Sequence, residues 1–459
     1  MRDSAALRWT VLVLISFTML TAYFFTDVLS PLKGDLERTL SWDGEIYGLF
    51  TGSYAMFNVM FLMLIFSGVI LDKIGIRFTL TTAAITMIVG ACLNFYALTD
   101  TFNQGGFLYG FFNSIFVSYP VSVKLSMVGY AIFGVGAEMA GITVSKVIVK
   151  WFAGKELALA MGVEMALARL GMGSAYLLAK PIADYKADWG LTAPVSFGIL
   201  LLIIGLITFL VYIIMDVKVD KEGVAEEAKA EPEEGFKFSD ILKLFVNPGF
   251  IIIALLCVLF YSAVFPFMKY AVDLMHHKYG MSETLAGKIA FLLPFGNIIL
   301  TPVFGTIYDR KGKGATIMII GSILLIIVHS IYAFGPAQGF LAYIAIFVLG
   351  FGFSLVPSAM WPSVPKIVDE RYLGTAYAVI FFIQNLGLMA VPYIAGKILK
   401  VSNPGVAEAI QNGEAAKYDY FNTSLVFVVC GVLALVLAFA LLSIDKKKGY
   451  GLQKPNIAK

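Results

Sequence analysis

A chain of 459 residues that is 59% hydrophobic and 14% charged lies well outside the soluble globular range, which is roughly 45–50% apolar and about 25% charged. Its mean hydropathy of +0.83 is that of a protein crossing a membrane many times. The net charge of +3 lacks the strongly basic footprint of a nucleic-acid binder. The three cysteines, Cys92, Cys257 and Cys430, each fall in an apolar run. Their spacing offers no disulfide framework or metal site, and they read as buried small hydrophobes.

The chain opens with Arg2 and Arg8, followed by apolar sequence to Leu32. That run is too long for the apolar core of a signal peptide and reads as an uncleaved first span. A crossing takes roughly 20 apolar residues. Twelve segments qualify: 7–32, 45–71, 77–98, 126–150, 156–183, 191–215, 248–275, 284–308, 315–335, 339–364, 373–400 and 420–444. The aromatic insert at 99–125 is broken by Gly, Asn and Pro, and reads as an interfacial segment or a cap outside the membrane. Residues 216–247, rich in Glu, Lys and Ala, read as a solvated linker between halves. The tail with Lys446, Lys447 and Lys448 is expected near anionic headgroups. Lys and Arg concentrate on the side of the two termini, which the positive-inside rule places in the cytoplasm. The short ends suggest the inner cell membrane rather than an organelle.

Internal repeats give the architecture. Gly68-Val-Ile-Leu-Asp72-Lys73-Ile-Gly75 follows the second span and Gly305-Thr-Ile-Tyr-Asp309-Arg310-Lys-Gly312 follows the eighth, with identical Gly…Asp…Gly offsets. Gly134-Val-Gly136-Ala-Glu138 aligns with Gly350-Phe-Gly352-Phe-Ser354, and Ala168-Arg169-Leu-Gly171 with Gln384-Asn385-Leu-Gly387, in one shared register. An all-α fold follows, with two pseudo-symmetric six-helix halves at 1–215 and 248–459, repeated in parallel about the membrane normal.

Glu138 and Arg169 stand out because each is a charge deep inside an apolar helix. Such a residue costs about 2.5–3.5 kcal/mol at a helix centre and usually faces a partner or a water-filled cavity. At about 100° per residue, Ser145 returns to the face of Glu138, while Gly162 and Tyr176 lie in line with Arg169. The shared register equates Ser145 with Trp361 and Arg169 with Asn385. The repeat axis therefore directs Glu138, Arg169, Trp361 and Asn385 at one central cavity. A carboxylate suits an ammonium, a guanidinium grips a carboxylate bidentately, and the amides of Gln384 and Asn385 can serve peptide groups in either sense. Tyr23 and Tyr54 are candidate aromatic walls. The competing reading of Glu138 and Arg169 is a mutual salt bridge locking their helices, a poor structural device because buried pairs gain little net stability. Asp27, near the outer end of the first span, and Glu138 are candidates for proton coupling. Glu164, about 140° around the helix from Arg169, is assigned to a cytoplasmic gate. Lys269 and Asp273 read as a local ion pair near the outer surface, His276 and His277 as surface residues, and His329 as packed.

The Gly-x-x-x-Asp-(Lys/Arg)-x-Gly loops resemble the signature of the major facilitator superfamily. Further residues are similar to the lysosomal dipeptide transporter branch of that superfamily and its prokaryotic relatives. They are Phe133-Gly-x-Gly136-x-Glu138, Trp151-Phe-x-Gly-Lys155-Glu156-Leu, Ala168-Arg169-x-Gly171, Phe265-Pro-Phe267, Trp361-Pro362, Leu373-Gly374-Thr-Ala-Tyr377 and Gln384-Asn385-Leu-Gly-Leu388, with Tyr23 and Asp27 in the first span. The resemblance implies a twelve-helix fold and alternating access. It also implies that Glu138 meets a peptide's amino group and Arg169 its carboxylate, and that Asp72, Lys73, Arg77, Asp309 and Arg310 form conformational latches. Val144-Ser145-Lys146 and Glu164 depart from the expected pattern, as does the length of the insert.

These readings converge on a monomeric transporter of dipeptides or similar zwitterions, working as a uniporter or proton symporter in the lipid bilayer. A carrier of small mono- or dicarboxylates is the alternative. It needs a second unpaired base beside Arg169, for which Lys146 is the nearby candidate. A non-transporting receptor is disfavoured by the short loops. An enzyme is not expected, because no nucleophile–base set, metal cluster or phosphate loop is legible. No cofactor is implied.

Overall fold

The computed structural model describes residues 4–152, 155–221, 238–369 and 372–456. These residues are mostly helical, with no strand among them. In chain order the helices are α1 (Ala5–Asp27), α2 (Lys33–Leu40), α3 (Gly44–Ser53), α4 (Met56–Met60), α5 (Met63–Ile74), α6 (Ile76–Ala97), α7 (Asp100–Asn103), α8 (Tyr109–Ser114), α9 (Val121–Phe152), α10 (Leu157–Tyr185) and α11 (Thr192–Lys221). They continue as α12 (Phe238–Phe245), α13 (Pro248–Tyr279), α14 (Glu283–Lys311), α15 (Gly314–Phe334), α16 (Phe340–Ile367), α17 (Leu373–Ser402), α18 (Val406–Gln411) and α19 (Phe421–Lys448).

The chain divides into two compact units, Met1–Ala230 with Gly405–Ala416, and Glu231–Pro404 with Lys417–Lys459. The same helix partnerships recur in each. In the first unit α1 packs on α10 and α11, α6 on α9 and α11, and α3–α5 on α9. In the second, α13 packs on α17 and α19, α15 on α16 and α19, and α14 on α16. The twelve expected spans thus all have a counterpart, repeated as two six-helix sets. The segment 405–416, with α18, packs on α2 in the first unit.

Ten of the twelve are long and apolar enough to cross a membrane among the described residues. The other two depart from that simple form for physical reasons. The second is broken into α3, α4 and α5, with Leu62 in the left-handed region at φ 54°, an uncommon and strained conformation for a bulky residue. Unwound backbone within a membrane is tolerated only where protein or a cavity satisfies it. The fifth, α10, carries Glu164, Arg169, Lys180 and Asp184 along its length.

Several surroundings differ from the sequence expectation. Cys257 and Cys430 are buried, but Cys92 is exposed on α6. The fourth span begins at Val121, earlier than expected, because the end of the insert is drawn into α9. Gly134, Gly136 and Gly171 permit close helix contact, whereas Gly162 faces open space. His276 and His277 are half-buried rather than at the surface, and Asp273 is buried. The Tyr420 hydroxyl donates to Asp273 Oδ2, His277 Nε2 stands 3.6 Å from Asp273 Oδ1, and the Tyr418 amide donates to His277 Nδ1 at 3.3 Å. His329 is packed as expected, with Phe267 edge-on at 4.8 Å between ring centroids.

The C-terminal tail is not a loose basic strip. Past α19 it turns back on the α14–α15 loop, where Lys313 donates its amide to Gln453 O at 3.0 Å and Gly314 to Leu452 O at 2.8 Å. Leu452 is fully buried, and its amide donates to Asp445 Oδ1 at 3.1 Å.

Candidate functional site

The site in the first unit is built around Tyr23 on α1. Its ring lies 5.9 Å from the Arg169 guanidinium carbon, within cation–π range. Arg169, Glu138, Glu164 and Asp27 all lie within electrostatic reach of its buried hydroxyl. Glu138 on α9 accepts a hydrogen bond from the Tyr54 hydroxyl at 3.1 Å. Two glycines make these approaches possible. A Cβ at Gly134 would stand 2.1 Å from Tyr54 O, and one at Gly171 would stand 2.0 Å from Leu20 O. The first close approach seats α9 against the break between α3 and α4. There Asn58 Nδ2 also donates to Gly134 O at 3.4 Å.

Four of the residues named from the sequence, Tyr23, Tyr54, Glu138 and Arg169, therefore gather in one place. Helix arithmetic turns Glu164 away from Arg169, and on that ground the sequence places it at a gate. Five residues advance a helix by roughly 7.5 Å, and two long side chains can bridge that distance. Arg169 accordingly acts electrostatically on Glu164.

Tyr176 and Asp27 are joined to each other. The Tyr176 hydroxyl donates to Asp27 Oδ1 at 3.1 Å, and so does the Ser30 hydroxyl at 3.1 Å. Both Tyr176 and Asp27 are buried. Tyr176 thereby turns its polar end to the top of α1.

In the second unit Trp361 on α16 is the centre of an aromatic cluster. It stacks on Phe381 at 5.0 Å, meets Tyr377 at 6.0 Å, and donates from Nε1 to the Tyr261 hydroxyl at 3.0 Å. Helix α16 stays continuous through Pro357, Pro362 and Pro365. Gln384 Oε1 lies 3.6 Å from the Cys257 sulfur. Asn385 is buried and spends its amide on Phe381 O at 3.0 Å, one turn back in its own helix, while its Oδ1 has no hydrogen-bond partner. Ser354, the repeat counterpart of Glu138, is fully buried and donates to Asn297 Oδ1 at 2.6 Å. The second unit therefore holds α14 to α16 with neutral groups at the position where the first carries a charge.

The loop residues expected to act as latches have different partners in the two units. Lys146 Nζ meets Asp72 Oδ1 at 2.6 Å, with both side chains largely exposed. Arg77 Nε meets Asp216 Oδ2 at 2.8 Å, and Lys150 Nζ meets its Oδ1 at 2.6 Å. The Tyr212 hydroxyl donates to Oδ1 as well, at 3.1 Å. Asp216 is buried near the end of α11. The sequence reading did not single it out, since it stands at the edge of a charged run. Its i,i+4 spacing from Tyr212 was the available signal. In the second unit Asp309 receives the backbone amide of Asn456 at 3.0 Å and the Asn456 side-chain amide at 2.8 Å. Lys73 and Arg310 are both exposed.

Between α9 and α10, Arg8 Nη2 meets Glu156 Oε2 at 3.1 Å. A backbone hydrogen bond at Glu156, with help from the Arg8 guanidinium, holds the carboxyl below its ordinary value.

The comparisons agree with this architecture. The model of the Major Facilitator Superfamily matches residues 15–392. The lysosomal dipeptide transporter MFSD1 of Homo sapiens is 26% identical over 450 residues, covering 96% of this chain and 87% of that protein. Its counterpart from Gallus gallus is 30% identical over 282 residues, covering 60% of this chain and 62% of that protein. Among solved structures, a bacterial homologue of the human lysosomal transporter Spinster superposes with a TM-score of 0.70 at 13% identity, covering 97% of this chain and 99% of that one. The tetrameric PepTSo2 superposes with a TM-score of 0.61 at 15% identity, covering 96% and 99%. With the repeated six-helix packing, the paired loop motifs and a family match spanning most of its length, the chain belongs to the Major Facilitator Superfamily of membrane transporters.

Proposed function

We propose that this transporter carries dipeptides or similar small zwitterions by alternating access. The observation that carries the reading is the gathering of a carboxylate and a guanidinium, Glu138 and Arg169, around Tyr23 inside a membrane-embedded unit. A zwitterion offers each of them a complementary charge, which offsets the cost of keeping both in the membrane. In this reading Glu138 takes the ammonium, held in place by the Tyr54 hydroxyl, and Arg169 takes the carboxylate bidentately. Trp361 and Gln384 are assigned to the peptide's side chains and amide, and Asn385 offers its Oδ1. The relationship to MFSD1 over nearly the whole chain supports the same substrate class. The chain is further assigned to a cell membrane as a monomer, with both termini in the cytoplasm.

A monocarboxylate or dicarboxylate cargo is less favoured. The second base that such an anion would need, Lys146, is engaged by Asp72. A thermal-shift screen of the purified protein against dipeptides, free amino acids and dicarboxylates tests the assignment, since a ligand of the native state raises apparent stability. Dipeptides should raise the melting temperature and dicarboxylates should not. A shift confined to dicarboxylates overturns the reading.

A further inference from the structure

The insert between α6 and α9 carries no charged residue from Thr101 to Val123, yet holds seven aromatic ones in that stretch: Phe102, Phe107, Tyr109, Phe111, Phe112, Phe116 and Tyr119. Five of them fall into two sets. Phe102 and Phe112 are buried with Ala97 and Leu125 in a small core of their own, against which Leu93 and Tyr96 pack. Phe107, Phe111, Phe116 and Val117 point outward with 79%, 61%, 74% and 78% of their surface exposed.

The fold of the insert is fixed from within. Lys124, buried at the start of α9, donates its ammonium to Phe112 O at 2.8 Å and Ile115 O at 2.6 Å. Asn103 Nδ2 donates to Ala97 O at 3.1 Å. Lys124 is thus turned inward on backbone carbonyls, and the outer face from 107 to 117 is uncharged and dominated by Phe107, Phe111, Phe116 and Val117.

The position of this face identifies what covers it. On α6, Phe78, Ile85, Val89 and Cys92 are exposed, and at about 100° per residue they form one stripe along the helix. Tyr96 continues that stripe at the end of the span, and its hydroxyl donates to Phe107 O at 3.3 Å. The cap is therefore tied to the outward side of a membrane-spanning helix, at the end opposite the 68–75 loop. Phe, like Trp and Leu, forms the apolar face of segments that lie in the membrane–water interface. An apolar face without charge there lies about 5–10 Å into the headgroup and acyl boundary.

We infer that residues 107–117 form an interfacial foot, whose Phe107, Phe111 and Phe116 rings insert into the adjacent leaflet and hold the α6–α9 end at headgroup level. The partner is the bilayer itself, recognised by its hydrophobic boundary and not by headgroup charge.

Photo-crosslinking tests this with the full chain in phosphatidylcholine nanodiscs. p-Benzoylphenylalanine is placed singly at positions 107, 111, 116 and, as a lipid-facing reference, 85, and adducts are read by mass spectrometry. Lipid adducts at 111 and 116 comparable to those at 85, unchanged on adding anionic lipid, are expected. Loss of lipid adducts at all three cap positions while position 85 retains them overturns the inference. So does cross-linking of the cap only to a second copy of the chain, or a yield that appears only with anionic lipid.

Discussion

The Tyr54 hydroxyl donates to Glu138 Oε1 at 3.1 Å, across the point where the second span is broken. At this interruption the Tyr54 backbone rests on Gly134 of α9, and its hydroxyl reaches the carboxylate of the same helix. Tyr54→Phe keeps the ring against Tyr130 and Phe133 and removes only the hydrogen bond. A bond to a charged group contributes about 1.5–3 kcal/mol, so the dissociation constant for substrate should rise about tenfold or more. Binding measured on the purified variant checks this; an unchanged affinity would mean that the hydroxyl does not position Glu138.

The two loop networks of the first unit should respond very differently to mutation. Lys146 and Asp72 are exposed, and pairs of that kind contribute about 0–1 kcal/mol. Asp72→Asn should leave the melting temperature nearly unchanged while lowering the maximal transport rate, with little change in substrate affinity. Asp216 is buried between Arg77 and Lys150. Asp216→Ala strands Arg77 and Lys150, which keep 37% and 24% of their side chains exposed. The loss should therefore fall below the cost of breaking a fully buried pair, about 3–5 kcal/mol, yet well above that of Asp72→Asn. Equal thermal stability in the two variants would contradict this ranking.

The tail of the second unit makes Gly312 indispensable. Gly312 has φ 68°, and a Cβ there would stand 2.5 Å from Gln453 O. Gly312→Ala should release the tail and expose the chain beyond Lys448 to limited proteolysis. Truncation after Lys448 should also lower stability, since burying a Leu side chain such as Leu452 contributes about 1.5–3 kcal/mol. A protease-resistant tail in Gly312→Ala would show that the strap does not depend on this contact.

The cluster of Asp273, His277 and Tyr420 should be structural. Asp273→Ala leaves the buried Tyr420 hydroxyl without its acceptor, which costs about 1–3 kcal/mol. Asp273→Asn keeps an acceptor and should recover most of the lost melting temperature. Equal losses in both variants would assign the role to the carboxylate charge.

How far the structure was legible in the sequence depended on the range of the physics involved. Spans and repeats were legible because hydropathy and the Gly…Asp…Gly loops are local patterns. The gathering of Tyr54, Glu138 and Arg169 was legible because a charge in an apolar helix is costly and therefore conspicuous. The interruption at Tyr54 was not, because the apolar run there is continuous and nothing local marks its close approach to Gly134. Asp216 was hidden among neighbouring charges, since only its partners on α6 and α9 distinguish a buried acid from a solvated one. The tail was read from its lysines, whereas its placement is decided by Leu452 and by backbone hydrogen bonds to a loop more than a hundred residues away.

The central claim is that Glu138 and Arg169 receive the two ends of a zwitterion. Counterflow in proteoliposomes tests it most directly, using a labelled dipeptide with wild type, Glu138→Gln and Arg169→Gln. Wild type should exchange dipeptides. Glu138→Gln should lose exchange of free dipeptides and tolerate an N-acetylated one better than wild type does, and Arg169→Gln should show the same shift toward a C-amidated one. Full dipeptide exchange by both variants would contradict the account and leave the two charges a structural role.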